Sequence, residues 1–188
     1  MSNFYKLFDI ETVKIAKFTN LDGSSKANQN SRTLITVSLF NIAKEYKPSR
    51  LYRKGLDLLI NKVKDSDHLA LRIYYDSVDD ELFNLLSKID NVELKRFIPY
   101  KLADPHTGSL GVFGALLRYL PLFFQEKQFK HVLVMDLDIN STVLDEFIGY
   151  IDQMKFFDFT YSCRKWYRSG RYWYDNMAHK SFFHIVRG

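Results

Sequence analysis

The stretch His131-Val132-Leu133-Val134-Met135-Asp136-Leu137-Asp138-Ile139 constrains this chain more than any other. Four apolar residues behind a histidine run straight into two carboxylates separated by one residue. Apolar runs without alternation belong to strands buried on both faces, and carboxylates at the end of such a run mark where the strand surfaces. Side chains alternate with period two along an extended chain, so Asp136 and Asp138 share one side. No Lys or Arg stands between them to offset their repulsion. A bound divalent cation does so, and oxygen ligands suit Mg2+ or Mn2+, which keep waters and share their shell with substrate phosphates. The motif therefore reads as a metal-diphosphate site at a strand end. Its plainer alternative is a pair of acidic residues that open a surface loop and cap a helix beginning near Ser141.

The chain on either side alternates between strand and helix patterns. Thr33 to Phe40 is a β-branched run of strand length, and Leu51 to Val63 places Leu51, Leu58, Leu59 and Val63 near helical spacing with Lys and Arg opposite. Leu69 to Tyr75 is a second strand ending at Asp76. Asp79-Asp80-Glu81 then supply the acidic first turn of a helix carrying Leu82, Phe83, Leu85, Leu86 and Ile89. Val92 to Ile98 is a third strand, stopped by Pro99, and a loop with Asp104, Pro105, Gly108 and Gly111 leads to a helix over Phe113 to Phe124. After the acidic motif a helix is expected from about Val143 to Met154, then strands at Phe156 to Ser162 and Ser181 to Val186. Met1 to Asn20 has no clean period and Leu21 to Arg32 is polar, so residues 1–32 are expected to be irregular. The alternation argues for an α/β sandwich with a mainly parallel sheet, and no linker or repeat divides residues 1–188 into more than one domain. In such sheets ligands bind beyond the carboxyl ends of the strands, near the reversal of strand order. Ser38, Asp76, Asp136 and Asp138 all fall at or near those ends and are expected to converge on one crevice.

Composition narrows the class. A chain of 188 residues with 46% hydrophobic and 16% aromatic residues can bury a core as one globular domain. Its single cysteine, Cys163, excludes an internal disulfide framework and makes a reducing compartment the default. No long apolar run opens the chain as a signal peptide would, and Leu116 to Phe124 is broken by Arg118 and Pro121, so neither secretion nor a membrane span is expected and the location is read as cytoplasmic. The net charge of +5 favours anionic partners such as nucleotide sugars, phospholipid head groups or nucleic acid. Part of it sits in Arg164, Lys165, Arg168 and Arg171, interleaved with Trp166 and Tyr167 and followed by Tyr172, Trp173 and Tyr174. That mixture either stacks on sugars or bases while attracting phosphates, or forms a solvated surface loop.

Leu116-Leu117-Arg118-Tyr119-Leu120-Pro121-Leu122, a short spacer and then Lys130 to Ile139 resemble the GT-A-fold glycosyltransferases with an Asp-x-Asp motif. The likeness is nearest to the broad group of glycogenin-like and bacterial lipopolysaccharide galactosyl- and glucosyltransferases, in which an Arg-bearing helix ending in Pro precedes the strand that delivers the motif. Thr33 to Asn41, Tyr52 to Leu59 and Ile73-Tyr74-Tyr75-Asp76 are similar to that family's nucleotide-binding half. The resemblance spans residues 33–160, and Arg118 to Ile139 is its most specific part. It implies a GT-A (Rossmann-like) three-layer α/β/α sandwich, with residues 33–140 as the nucleotide-sugar-binding half and 141–188 as the acceptor side. It also implies metal-dependent transfer of a hexose from a nucleoside-diphosphate sugar, UDP-hexose foremost, to a glycan, protein or other hydroxyl acceptor, with Mn2+ or Mg2+ as cofactor.

Carried onto these positions, the resemblance makes Asp138 a metal ligand and lets Asp136 reach the donor ribose or share the metal. Arg118 would lie near the donor sugar or diphosphate, while Ser38 and Asp76 would hold the nucleoside. Each has a plainer alternative: Arg118 pairs with Asp136 or another acidic residue across a helix-sheet contact, Asp76 caps the following helix, and Ser38 is an ordinary strand residue. A divalent ion bridging the phosphates would stabilise the negative charge that develops on the leaving group. Trp166, Tyr167, Trp173 and Tyr174 are candidates for an apolar, hydrogen-bonding floor under an acceptor sugar. An inverting enzyme needs a general base, for which Asp158 and Asp175 are the candidates; a retaining one does not, so stereochemistry stays open.

The chain departs from the family in two ways. A later His often completes the metal site there, whereas His179 and His184, the downstream histidines here, read as surface or strand residues. The family also usually has more chain after the motif, which makes this sequence a fragment, a minimal catalytic domain or the donor half of a larger enzyme. Heavy use of Lys, Asn, Phe and Tyr suits an AT-rich genome, such as that of a large DNA virus acting in host cytoplasm. Phosphatases of the haloacid dehalogenase type also use a strand ending in Asp-x-Asp, but near the amino terminus and with more machinery after it than this chain holds. A nucleic-acid-binding module would account for Arg164 to Tyr174 but not for the acidic strand end, since carboxylates repel phosphate backbones unless metal intervenes. A catalytically degenerate nucleotide-binding scaffold is the remaining rival.

Overall fold

Strands buried on both faces set the architecture. The computed structural model of the chain describes residues 8–16, 33–40, 49–76, 80–99, 114–123, 129–153, 159–161, 166–168, 171–173 and 184–187. The strands are β1 (Phe8–Lys14), β2 (Thr33–Leu39), β3 (Leu69–Tyr75), β4 (Val92–Pro99), β5 (His131–Val134), β6 (Phe159–Tyr161), β7 (Trp166–Arg168), β8 (Arg171–Trp173) and β9 (His184–Arg187). The helices are α1 (Ser49–Lys64), α2 (Asp80–Ser87) and α3 (Ser141–Gln153), with a 3-10 turn at Leu120–Leu122.

Among the described residues seven strands form one sheet in the order β1-β4-β3-β2-β5-β9-β6, and β7 with β8 forms a separate pair. β4, β3, β2 and β5 run parallel. Antiparallel strands flank them, β1 on β4 and β9 between β5 and β6. The chain steps outward from β2 to β3 to β4 and then returns to lay β5 on the other side of β2, so strand order reverses between β2 and β5. An α/β fold of Rossmann-like order is the result.

Alternation divides the sheet into two faces. Ile35, Val37, Leu71, Ile73, Leu94 and Leu133 pack on the apolar sides of α1, α2 and α3 in one continuous core. α1 contributes Leu56, Leu59, Ile60 and Val63, the i, i+3, i+4, i+7 stripe of an amphipathic helix. Its C-terminal end is closed by Asn91, whose Nδ2 donates to Val63 O at 3.2 Å and Ser66 O at 2.7 Å. α2 starts with Asp80 and Glu81 in its first turn, favourable at the positive end of the helix dipole, and ends on Lys14 of β1, whose Nζ donates to the carbonyls of Leu86 and Ile89. On the opposite face Tyr74 and Phe97 pack against Leu117, flanked by Phe40 and Leu120. There, among the described residues, a short helical segment at 114–117 and the 3-10 turn cover the carboxyl end of the sheet. Arg72, a charge within the wholly buried β3, is paired on that face with Glu93 at 2.6 Å, and Lys95 holds the other oxygen of Glu93 at 2.9 Å.

Several expectations from the residues change. The segment before Thr33 is not wholly irregular: Phe8–Lys14 forms the edge strand β1, pairing Ile10 with Phe97 and shifting register between Thr12 and Lys14. The helix expected over Phe113 to Phe124 is helical at 114–117, then a turn and the 3-10 stretch, with Pro121 inside the latter; Phe113 and Phe124 lie outside the described residues. The aromatic-basic segment contains a hairpin, with Trp166 opposite Trp173, Tyr167 opposite Tyr172 and Arg168 opposite Arg171. No helix among the described residues is long and apolar enough to cross a membrane.

Candidate active site

The parallel ladder delivers the acidic pair to the point where strand order reverses. Thr36 of β2 stands opposite Val134 of β5, and the Met135 N–H still donates to Thr36 O at 3.2 Å. Beyond that rung Met135, Leu137 and Ile139 are buried in the helix-covered core, while Asp136 and Asp138 between them are half-buried. The alternation of burial outlasts the strand although the chain bends at Leu137 and Asp138, and Asp136 meets Arg118 on the side away from that core. α3 begins at once, and its N-cap is Asn140: Oδ1 accepts the Val143 N–H at 3.0 Å and the carbonyl accepts the Leu144 N–H at 3.1 Å. Asn140 therefore occupies the N-cap position of α3.

Arg118 follows the 114–117 helical segment and reaches the motif from the opposite layer. Its Nη1 lies 3.4 Å from Asp136 Oδ1, an oxygen that also accepts the Leu137 N–H at 2.9 Å. The guanidinium carbon sits 5.6 Å from the centroid of the Tyr119 ring. This ion pair is the plainer alternative for Arg118, yet it engages only part of the guanidinium. Among the described residues Arg118 Nε has no hydrogen-bond partner although it is buried, and the same holds for Ser38 Oγ and Thr36 Oγ1 on β2. Ser38 stands opposite Tyr74, near the end of β2, and Asp76 directly follows β3 and is half-buried. The parallel run of β3, β2 and β5 therefore brings Ser38, Asp76, Asp136 and Asp138 to one end of the sheet, with Arg118 against Asp136.

Two glycines let backbone approach this end closely. A Cβ on Gly55 of α1 would meet the Leu137 carbonyl carbon at 2.7 Å and overlap its oxygen. A Cβ on Gly114 would stand 2.6 Å from the Phe40 ring. Phe40 in turn packs edge-on against Phe97, with centroids 5.7 Å apart. Tyr75, at the end of β3, has its phenol pushed above its ordinary value by burial, with Arg96 opposing the shift and Glu11 adding to it.

Asp158, Asp175, Tyr174 and His179 lie outside the described residues. Trp166, Tyr167 and Trp173 belong to the β7–β8 pair, a separate sheet from the one that carries the acidic motif. His184 is a strand residue, as its sequence context suggested, but β9 runs antiparallel to β5 and places it opposite Val134, at the same sheet end as Asp136. Among the described residues no three His, Cys, Asp or Glu side chains form a group that could hold a metal ion. Two half-exposed carboxylates one residue apart still fit a Mg2+- or Mn2+-type shell completed by water and phosphate oxygens. Gly55, Asn140 and His184 were not read as part of this region from the residues. A lone glycine inside an amphipathic helix is a signal of close backbone approach, and Asn directly before a helix is a cap signal; nothing local marks His184. No family model, curated protein or solved structure matches the chain.

Proposed function

We propose that the chain is a metal-dependent GT-A-type glycosyltransferase that takes a hexose from a nucleoside-diphosphate sugar, UDP-hexose foremost, and passes it to a hydroxyl acceptor. The observation that carries this reading is the half-buried Asp136/Asp138 pair at the reversal of strand order, with the Arg118 guanidinium against it. Asp138, with Asp136 sharing, would hold Mn2+ or Mg2+, which when bound supplies Lewis-acid stabilisation of the diphosphate leaving group. Arg118 keeps one buried N–H for a phosphate or sugar oxygen, and its pairing with Asp136 offsets part of the carboxylate repulsion. Ser38 Oγ, buried and without a partner among the described residues, supplies a further donor or acceptor near the end of β2. Asp76 lies at the same end for the nucleoside.

Isothermal titration of the chain with UDP-glucose, UDP-galactose and GDP-mannose, with Mn2+ and then with EDTA, tests the reading. Binding of one donor that needs metal and disappears in a folded Asp138→Ala variant is the expected result, and Asp136→Asn should likewise abolish turnover without unfolding the chain. Absence of binding to every donor would overturn it in favour of a nucleic-acid-binding module, and donor binding without turnover would overturn it in favour of a catalytically degenerate scaffold.

A further inference from the structure

We propose that Gly55 is a positioning residue for the acidic pair, holding the Leu137 peptide in place through direct contact between the α1 backbone and the Leu137 carbonyl; this rests on the metal reading of Asp136 and Asp138. Glycine is a poor choice for a helix interior, because it loses the most backbone freedom on ordering. Here it stands on the buried side of α1, beside Leu56 and one turn before Leu59, both fully buried. Any Cβ at this position would collide with Leu137 O and its carbonyl carbon. The backbone approach leaves the Gly55 Cα–H groups as the surface that meets the oxygen, a weak but directional contact.

The two sides of that contact differ in how firmly they are held. α1 is fixed by Leu56, Leu59 and Val63, all fully buried in the core. Leu137 lies past the end of β5, where the ladder has stopped. A side chain at Gly55 would therefore shift the Leu137 peptide more readily than the helix. Residue Leu137 links the two carboxylates: its N–H, in the peptide to Asp136, is bonded to Asp136 Oδ1, and its carbonyl, the group Gly55 meets, belongs to the next peptide and is joined to the Asp138 nitrogen. Metal sites tolerate displacements of only about 0.5 Å in their ligands, so the contact governs metal affinity although Gly55 has no atom that binds metal.

Mn2+ titration followed by electron paramagnetic resonance tests this with the wild-type chain, Gly55→Ala, and Val63→Ala as a control that opens a cavity two turns further along the same helix. Gly55→Ala should remain folded by circular dichroism and bind Mn2+ about 10- to 100-fold more weakly, while Val63→Ala keeps wild-type affinity. If Gly55→Ala does not fold, the wild-type chain decides: on titration with Mg2+ the Gly55 resonances should shift together with those of Asp138, while Asn61 on the exposed side of α1 stays unchanged. Equal Mn2+ affinity in a folded Gly55→Ala, or a Gly55 signal indifferent to Mg2+ that moves Asp138, overturns the inference and leaves the metal reading standing. A wild-type chain that binds neither ion overturns both.

Discussion

Thr36 Oγ1, Ser38 Oγ and Arg118 Nε share an unusual situation: each is buried and without a hydrogen-bond partner among the described residues. Leaving such a group unmet costs on the order of 1–3 kcal/mol. Two of them, on Ser38 and Arg118, belong to the sheet end that carries Asp136, where a ligand's oxygens would satisfy them. The pairing of Arg118 with Asp136 was legible only as one of two options, because sequence spacing cannot show which layer faces a strand end. Tyr75 gives a test at this same end. Burial favours its neutral phenol, so its folded pKa lies above the unfolded value of about 10. The stability this contributes is intact below the unfolded value and is lost as pH rises through the folded one. Tyr75→Phe should therefore lose less stability than wild type between about pH 9 and pH 11, measured as urea midpoints across that range. Parallel pH dependences in the two proteins would refute the assignment.

Polar contacts at the helix ends add to the apolar packing that holds these elements on the sheet. Asn91, just ahead of β4, closes α1 with two amide hydrogen bonds; Lys14, from β1, closes α2; Asn140 opens α3. Lys62 of α1 reaches Asp145 of α3 at 2.8 Å, but both are exposed and such a pair contributes little. Asn91→Ala would leave the Val63 and Ser66 carbonyls without their amide donor, so it should destabilise the chain by about 1–3 kcal/mol, read as a lower urea midpoint with an unchanged m-value. A loss below about 0.5 kcal/mol would mean water replaces the amide at no cost. The core strands and α1 could be read from their patterns because burial imposes periodicity on them: β3 matches its expected bounds, Leu69 to Tyr75. β1 escaped because an edge strand is only partly covered, and Val13 and Ile15 remain exposed beside charged neighbours. The 114–123 segment reads as one helix by composition, whereas the chain turns and passes through a 3-10 stretch at Pro121, as a proline's missing N–H favours.

Strand order is what brings residues distant in sequence to one end of the sheet. The return of β5 to the far side of β2 brings the acidic pair beside the end of a strand distant in sequence. The antiparallel return of β9 then brings His184 level with Val134. The run of apolar residues into Asp136 and Asp138 and the alternation of strands and helices were readable from the sequence, because each follows from the local periodicity of extended or helical backbone. The order β4-β3-β2-β5-β9, the approach of Arg118 and Gly55 to opposite sides of the acidic segment, and the placement of His184 were not. These depend on which distant strands pair and which layer covers each face, and that choice is made by burial and hydrogen bonding across the whole sheet, which no short stretch of sequence encodes.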